Sequence, residues 1–468
     1  MQLDLETVGC LLVSFFSPAT VYQAACQTNF TQRSTDKLTA PLFFQALVFA
    51  CLEHQEVTLS QLGQACLDLG VAVSAQGVDS RITQASSDFM AAMFSQAMAT
   101  FVNRSPLPLP ILNQFSAVNL IDSSIIPLPE ALAEVYAGCG GNASAASLKV
   151  RLVMEFQHGN LSQLLLAPGR EPDQGFGAYL PLARPGSLNL MDLGHFNLSH
   201  FKAMDDQKAY FLSRYKHGTS LLTPQGDKID LLALLQEDCP SQLDQPVLLG
   251  QQKHHQIPCR LVAFRLKQEV ADQRRRKAKA AAKRRGQTVS PTTLALLDWA
   301  IYLTNVPQVM LTAEQIALLY RLRWQIELVF KLAKSYLGLR HFVRLRPARV
   351  LTELYARLIG LVLTQFITAP LRMPLSRHSN REISPVQVVK IFRRFARTLN
   401  QALGDLSQVL DHLRTLQTHI LHFGFKQKRR KKPNICHALA LASTLYQLPF
   451  TPAHEVALLT WEATPNLT

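Results

Sequence analysis

The stretch Tyr320-Arg-Leu-Arg323-Trp324-Gln-Ile-Glu327-Leu-Val-Phe-Lys331-Leu-Ala-Lys334 carries the deciding pattern of this chain. Apolar residues recur through it at helical spacing, and Thr312 with Glu314 supplies a start signal upstream. The sequence therefore predicts one long helix from Thr312 to a stop at Gly338. At about 100° per residue, Tyr320, Arg323, Glu327 and Lys334 share a stripe about 60° wide. A phenol, a guanidinium, a carboxylate and an ammonium on one stripe make a poor core. They suit a phosphodiester, with cations on its phosphates and a carboxylate facing a divalent ion.

Working upstream, two further carboxylates stand at the ends of apolar runs. Asp122 closes the strand-like segment Ser116 to Ile121, and Asp192 closes Leu188 to Met191. Taken singly, an Asp at a strand end is an ordinary turn former and a helical Glu is an ordinary solvated group. Converging, the three would form a hard-oxygen site suited to Mg²⁺ or Mn²⁺. Two such ions about 3.5–4 Å apart would activate an attacking oxygen and stabilise a leaving oxygen at phosphorus.

The middle of the chain reads as strands. Leu148 to Phe156 alternates with period 2, and Asn160 to Leu166 follows a His158-Gly159 turn. Tyr210 to Tyr215, Val247 to Gly250, Leu261 to Leu266 and Trp299 to Thr304 complete the set. Either side is helical. Thr58 caps a helix, Ser74 to Gly77 reads as a turn, and Arg81 to Met93 as a second helix. That layout fits a helix-turn-helix or an ordinary helical hairpin. Ser105 to Pro110 is a stiff Pro-rich linker. Helices are expected at about 349–368, 385–402 and 404–421.

Composition narrows the function. The 468 residues are 48% hydrophobic and 17% charged, which is globular, and net charge is +15. Residues 1–264 hold 15 Lys and Arg against 22 Asp and Glu, whereas residues 265–468 hold 33 against 11. The positive charge is thus concentrated in the rear portion, densest at Arg274-Arg275-Arg276-Lys277 through Lys283-Arg284-Arg285 and at Lys426 to Lys432. Each run reads either as a solvated loop or as a phosphate-binding arm. The eight cysteines include no C-x-x-C pair, which argues against a zinc ribbon or a redox motif. The N-terminus lacks the basic flank of a secretory signal, and the apolar run Leu358 to Ile367 is about half a membrane span. A polyanion partner is therefore expected to be nucleic acid, with no membrane role.

The spacing Y-x₂-R-x₃-E-x₆-K resembles the YREK signature of DDE-type insertion-sequence transposases, a bacterial cut-and-paste group. The segments Asp122-Ser-Ser-Ile-Ile-Pro-Leu-Pro and Asp192-Leu-Gly-His-Phe resemble that family's first and second aspartate blocks, and Trp299-Ala-Ile-Tyr-Leu-Thr resembles the strand before its glutamate helix. One departure is Leu193, where the family commonly has Arg. The likeness covers about residues 110–345. It implies an α/β fold with an RNase H-like catalytic core: a mixed five-stranded sheet with flanking helices, interrupted by a β-rich insertion, with helical N- and C-terminal regions. The implied organisation is a helical N-terminal domain at 1–104 (a candidate for DNA-end binding), the linker 105–110, core at 111–204, insertion at 205–297, core at 298–345 and a helical C-terminal region with a basic tail segment at 346–468. The 135 residues between Asp192 and Glu327 leave room for such an insertion.

By the same resemblance, Asp122, Asp192 and Glu327 would bind two Mg²⁺, with Mn²⁺ as substitute. Tyr320, Arg323 and Lys334 would grip phosphates beside the cleaved end. Trp299 and Trp324 would stack on an extruded base or else fill the core, and Arg274, Arg275, Arg276, Lys277, Arg284 and Arg285 would touch DNA. The expected partners are inverted-repeat ends, target DNA and a second copy of the chain in a homodimeric synaptic complex. The expected location is the bacterial cytoplasm, at the nucleoid. The expected function is cleavage at element ends followed by strand transfer. A non-catalytic, domesticated DNA-binding protein and an RNase H-like nuclease without strand transfer are the competing readings.

Overall fold

The computed structural model describes residues 5–31, 37–103, 109–140, 144–237, 241–251, 256–340, 342, 346–368, 383–425 and 439. The basic run 426–432 and most of the Pro-rich linker lie outside the described residues.

The N-terminal part forms α1 (Leu5–Phe15), α2 (Pro18–Gln27), α3 (Ala40–Glu53), α4 (Leu59–Asp68), α5 (Ala75–Arg81) and α6 (Gln84–Thr100). Thr58 starts α4 through a reciprocal capping box with Gln61. The expected turn at Ser74 to Gly77 is instead the start of α5, because the Ser74 hydroxyl accepts the Gly77 N–H and caps it. The strands are β1 (Val118–Leu128), β2 (Ala146–Glu155), β3 (Asn160–Pro168), β4 (Leu188–Met191), β5 (Tyr210–Arg214), β6 (Leu221–Leu222), β7 (Gln242–Leu249), β8 (Ile257–Arg265) and β9 (Trp299–Thr304). Between and after them lie α7 (Leu198–Asp206), α8 (Leu231–Glu237), α9 (Gln268–Arg284), α10 (Pro291–Leu296), α11 (Ala313–Tyr320), α12 (Trp324–Ser335), α13 (Pro347–Thr368), α14 (Pro385–Ala402) and α15 (Leu406–Phe423).

The fold is mixed α/β with one large mixed sheet, ordered β3-β2-β1-β4-β5-β9-β8-β7-β6. It has nine strands where five were expected. The physical reason is edge pairing. Strand β5 pairs with β4 on one side and leaves its other edge open, and β9 fills that edge antiparallel, Leu212 opposite Thr304. Strand β8 then pairs along all of β9, and β7 and β6 follow. The insertion's strands thus extend the sheet instead of forming one of their own. The basic run at 274–284 is not a loop but most of α9.

The described residues form two compact units. The first comprises Met1–Pro108, Ser123–Glu171 and Gln325–Lys428. Its α3 is buried over most of its length, and the α3 rings Phe44 and Phe49 contact those of Phe15 and Phe16. Helix α13 is long and apolar enough to cross a membrane, yet 89% of its most apolar stretch is buried inside the protein, so it reads as a core helix. Gly338, the expected helix stop, has φ +72°, and a Cβ there would collide with the Arg357 guanidinium and the Gln55 carbonyl. Only glycine fits that C-terminal turn.

The second unit is built from Leu109–Asp122 and Pro172–Trp324. Strands β1, β4 and β5 run parallel at its centre, and β1 and β4 are buried on both faces through their paired lengths, as their mostly apolar composition requires. Asn119 and Asn189 stand abreast in β1 and β4; Asn119 Nδ2 donates to Asn189 Oδ1, and Asn189 Nδ2 donates on to the Tyr210 carbonyl within that core.

Candidate active site

Parallel register builds the centre of the site. Strand β1 pairs with β4 from Val118 opposite Leu188 to Ile121 opposite Met191. The next residues, Asp122 and Asp192, therefore emerge side by side where the paired ladder ends. Asp122 does not end its strand as expected, since β1 continues to Leu128. It ends the paired part, where burial on both faces gives way to alternation.

Asp192 leaves β4 and caps a short 3-10 turn, Leu193–His195. Its Oδ1 accepts three hydrogen bonds: from Gly194 N at 2.9 Å, His195 N at 3.3 Å and His195 Nδ1 at 3.1 Å. Asp122 Oδ2 lies 3.3 Å from Arg323 Nη1. Ligand atoms of Asp122, Asp192 and His195 all fall within 4.8 Å of one another. Two carboxylates this close repel unless a cation sits with them, and the hard-oxygen pair fits a divalent ion such as Mg²⁺. His195 was assigned no role by the sequence. Its signal was the Asp-Leu-Gly-His spacing, which lets a side chain three residues on fold back to the carboxylate.

Burial alone would raise the Asp192 carboxyl. The His195 hydrogen bond, the His195 charge and the Arg323 guanidinium outweigh it and hold the group below its ordinary 3.8. A carboxylate depressed in the folded state adds stability above its unfolded pKa and loses it as pH falls through the folded value. The stability gap between wild type and Asp192→Asn is thus expected to hold steady near neutrality and to close on acidification below about 4. Urea midpoints at neutral and acid pH measure it; a gap indifferent to acid would contradict the electrostatic picture.

The expected long helix is broken. Helix α11 ends at Tyr320, residues Arg321–Arg323 form a 3-10 turn, and α12 begins at Trp324. With three residues per turn, positions i and i+3 eclipse. That puts the Arg323 guanidinium carbon 6.0 Å from the Tyr320 ring centroid. Tyr320 itself is buried against Tyr302, ring centroids 5.2 Å apart. Burial raises its hydroxyl above the ordinary range, partly offset by Arg323 and Arg214, so the phenol stays neutral. Glu327 lies in the first turn of α12 and Lys334 in its last, both half-buried.

The tryptophans differ. Trp299 is 6% exposed at the start of β9, and its carbonyl accepts a hydrogen bond from Arg274. Trp324 is 39% exposed. On α9, Arg274 and Arg275 face inward: Arg275 pairs with Asp298 and, at 2.7 Å, with Asp272. Arg276, Lys277, Lys279, Lys283 and Arg284, with Arg285 at the cap, point more to solvent. At about 100° per residue Arg276, Lys279 and Lys283 occupy the face of α9 opposite the buried Val270 and Ala271.

Residues 113–363 match the family model described as Transposase DDE domain. The chain is 26% identical over 439 residues to the transposase for insertion sequence element IS231B of Bacillus thuringiensis subsp. berliner, covering 88% of this chain and 91% of that one. It is 25% identical over 467 residues to the transposase for insertion sequence element IS1151 of Clostridium perfringens, covering 94% and 97%. A solved structure titled as a piggyBac transposase synaptic complex with hairpin DNA aligns at a TM-score of 0.47 and 10% identity, over 92% of this chain and 87% of that one.

Proposed function

This chain belongs to the transposase DDE domain family and is an insertion-sequence transposase, and from that premise we propose that it cuts DNA at the ends of its element and joins the freed 3′ ends to target DNA at a two-metal site. The observation that carries the chemistry is the pairing register that sets Asp122 beside Asp192. In this reading the strand order β3-β2-β1-β4-β5 is an RNase H-like core, and β9 with the insertion strands is an extension of it.

Asp122, Asp192 and Glu327 would hold two Mg²⁺, which supply activation of the attacking oxygen and charge stabilisation at phosphorus. The rest of the work falls to the chain's own side chains. Arg323, paired with Asp122 before substrate arrives, would turn its guanidinium to a phosphate beside the scissile bond, where a bidentate contact is available. Tyr320, kept neutral by burial, supports that guanidinium from its ring face. Lys334 would contact a neighbouring phosphate as a point charge. Trp324, exposed at the start of α12, is the better stacking candidate for an extruded base, and Trp299 is the more buried of the two.

The outer face of α9 would track a DNA backbone, with Arg274 and Arg275 anchoring the helix to the start of β9. Replacing Arg276, Lys279 and Lys283 together with alanine is expected to lower the slope of log affinity against log salt by about 3, roughly one unit for each phosphate no longer neutralised. Filter binding of an end duplex across salt concentrations measures it; an unchanged slope would remove α9 from the interface. We further propose a homodimeric synaptic complex and action on nucleoid DNA in the cytoplasm.

The test of the whole reading is a supercoiled plasmid carrying two inverted-repeat ends, incubated with purified protein and Mg²⁺. Joined products are expected. Nicks without joining would make the chain a nuclease, and binding without either would make it a DNA-binding protein.

A further inference from the structure

We infer that His195 is a positioning residue: it locks Oδ1 of Asp192 so that Oδ2 is the oxygen offered to a divalent ion. The inference rests on the proposed metal role of Asp192. Three observations carry it. First, every hydrogen bond that Asp192 accepts among the described residues goes to Oδ1, and one of the three comes from His195 Nδ1 at 3.1 Å. A carboxylate only accepts, so Nδ1 donates and the imidazole is fixed in that orientation. Second, the lock is tight. The His195 side chain is 1% exposed, against 38% for Asp192, so the donor is held rigidly while the acid faces solvent. A Cβ at Gly194 would sit a tight 3.1 Å from Oδ1, so any side chain there would press on the locked oxygen. Third, the other ring nitrogen, Nε2, is buried and has no hydrogen-bond partner among the described residues. A buried orphan nitrogen is a poor choice for packing alone, since Phe would fill the same space against the neighbouring Phe176 ring. The imidazole is retained for Nδ1.

A metal-ligating carboxylate gains affinity when an outer partner fixes which lone pair points at the ion. His195 does this for Asp192. It also explains how Leu193 is accommodated: the turn is held by backbone N–H groups and His195, so the side chain at 193 is exposed and takes no part in the lock.

The experiment measures Mn²⁺ binding to the full chain by loss of the free-ion EPR signal, alongside thermal unfolding and end cleavage, in four variants. His195→Phe keeps the volume and removes the donor. It is expected to fold with an unfolding midpoint at or above wild type, yet to bind Mn²⁺ about 10- to 100-fold more weakly. His195→Asn places its Nδ2 where Nδ1 stood and is expected to recover affinity to within a few-fold. His195→Gln places its nitrogen at the Nε2 position and is expected to stay weak. Cleavage rates should follow the same order. Mn²⁺ affinity unchanged in His195→Phe, or an Asn variant no better than the Gln variant, would overturn the inference; the Asn–Gln comparison decides even if the Phe variant fails to fold. Asp192→Ala is the fourth variant. If it binds Mn²⁺ as tightly as wild type, the metal reading of Asp192 fails, whereas loss in Asp192→Ala with none in His195→Phe defeats the positioning role alone.

Discussion

Asp192→Ala lowers strand cleavage at an element end by at least about 10³-fold and leaves end binding intact: that is the expected result with the largest effect on activity. Removing a metal ligand forfeits several kcal/mol of charge stabilisation at phosphorus, and each 1.36 kcal/mol is about tenfold in rate. Binding survives because it draws on phosphate contacts far along the chain, such as the outer cations of α9. Asp122→Ala and Glu327→Ala are expected to behave alike, while Asp122→Ala also strips Arg323 of its 3.3 Å partner. Single-turnover cleavage of a labelled end duplex, paired with a gel-shift on the same duplex, reads both quantities. A variant that still nicks at one-tenth of the wild-type rate would exclude that acid from the site.

The second large effect concerns stability. Arg349 in α13 is 2% exposed. It donates to Glu353 Oε1 at 2.8 Å and to the Val57 carbonyl at 3.0 Å, and lies 3.9 Å from Asp79. One side chain therefore ties α13 to the entry of α4 and to α5. Arg349→Ala is expected to destabilise the helical unit by about 3–5 kcal/mol, because Glu353 would stay buried with Arg357, at 3.8 Å, as its remaining cation among the described residues. Replacing both members, Arg349→Met with Glu353→Leu, should cost much less, since no lone charge is left behind. Urea unfolding followed by helical circular dichroism measures the difference. Equal losses in the single and the double variant would mean that the pair acts through packing and not through charge.

Much of this was legible in the sequence. Strands β4 and β9 begin and end where the apolar runs do, because a fully buried parallel or central strand has no other composition available. Asp122 and Asp192 stood out as acids closing such runs. What stayed hidden was non-local or geometric. Which edge the insertion strands would join depends on β5 having an open side, and no residue in β7 or β8 announces that. The 3-10 turn at Arg321–Arg323 keeps backbone angles close to helical, so the apolar periodicity runs on through it with little disturbance. His195 was visible only as one letter of the Asp192-Leu-Gly-His-Phe segment, since its meaning lies in a ring nitrogen reaching back three positions. The inward pair Arg274 and Arg275 looked like the outer cations beside them until Asp298 and the Trp299 carbonyl were placed.

The order in which the sheet is assembled has a consequence during synthesis. The two aspartates become neighbours only once residue 192 has left the ribosome and β4 has docked on β1, a strand made 70 residues earlier. The far edge of β5 then stays open until β9 arrives, with Thr304 opposite Leu212, about 90 residues later. Such long-range pairings are the slow steps of folding. A nascent or truncated chain ending before β9 consequently has an unfinished sheet, with one edge left to aggregate.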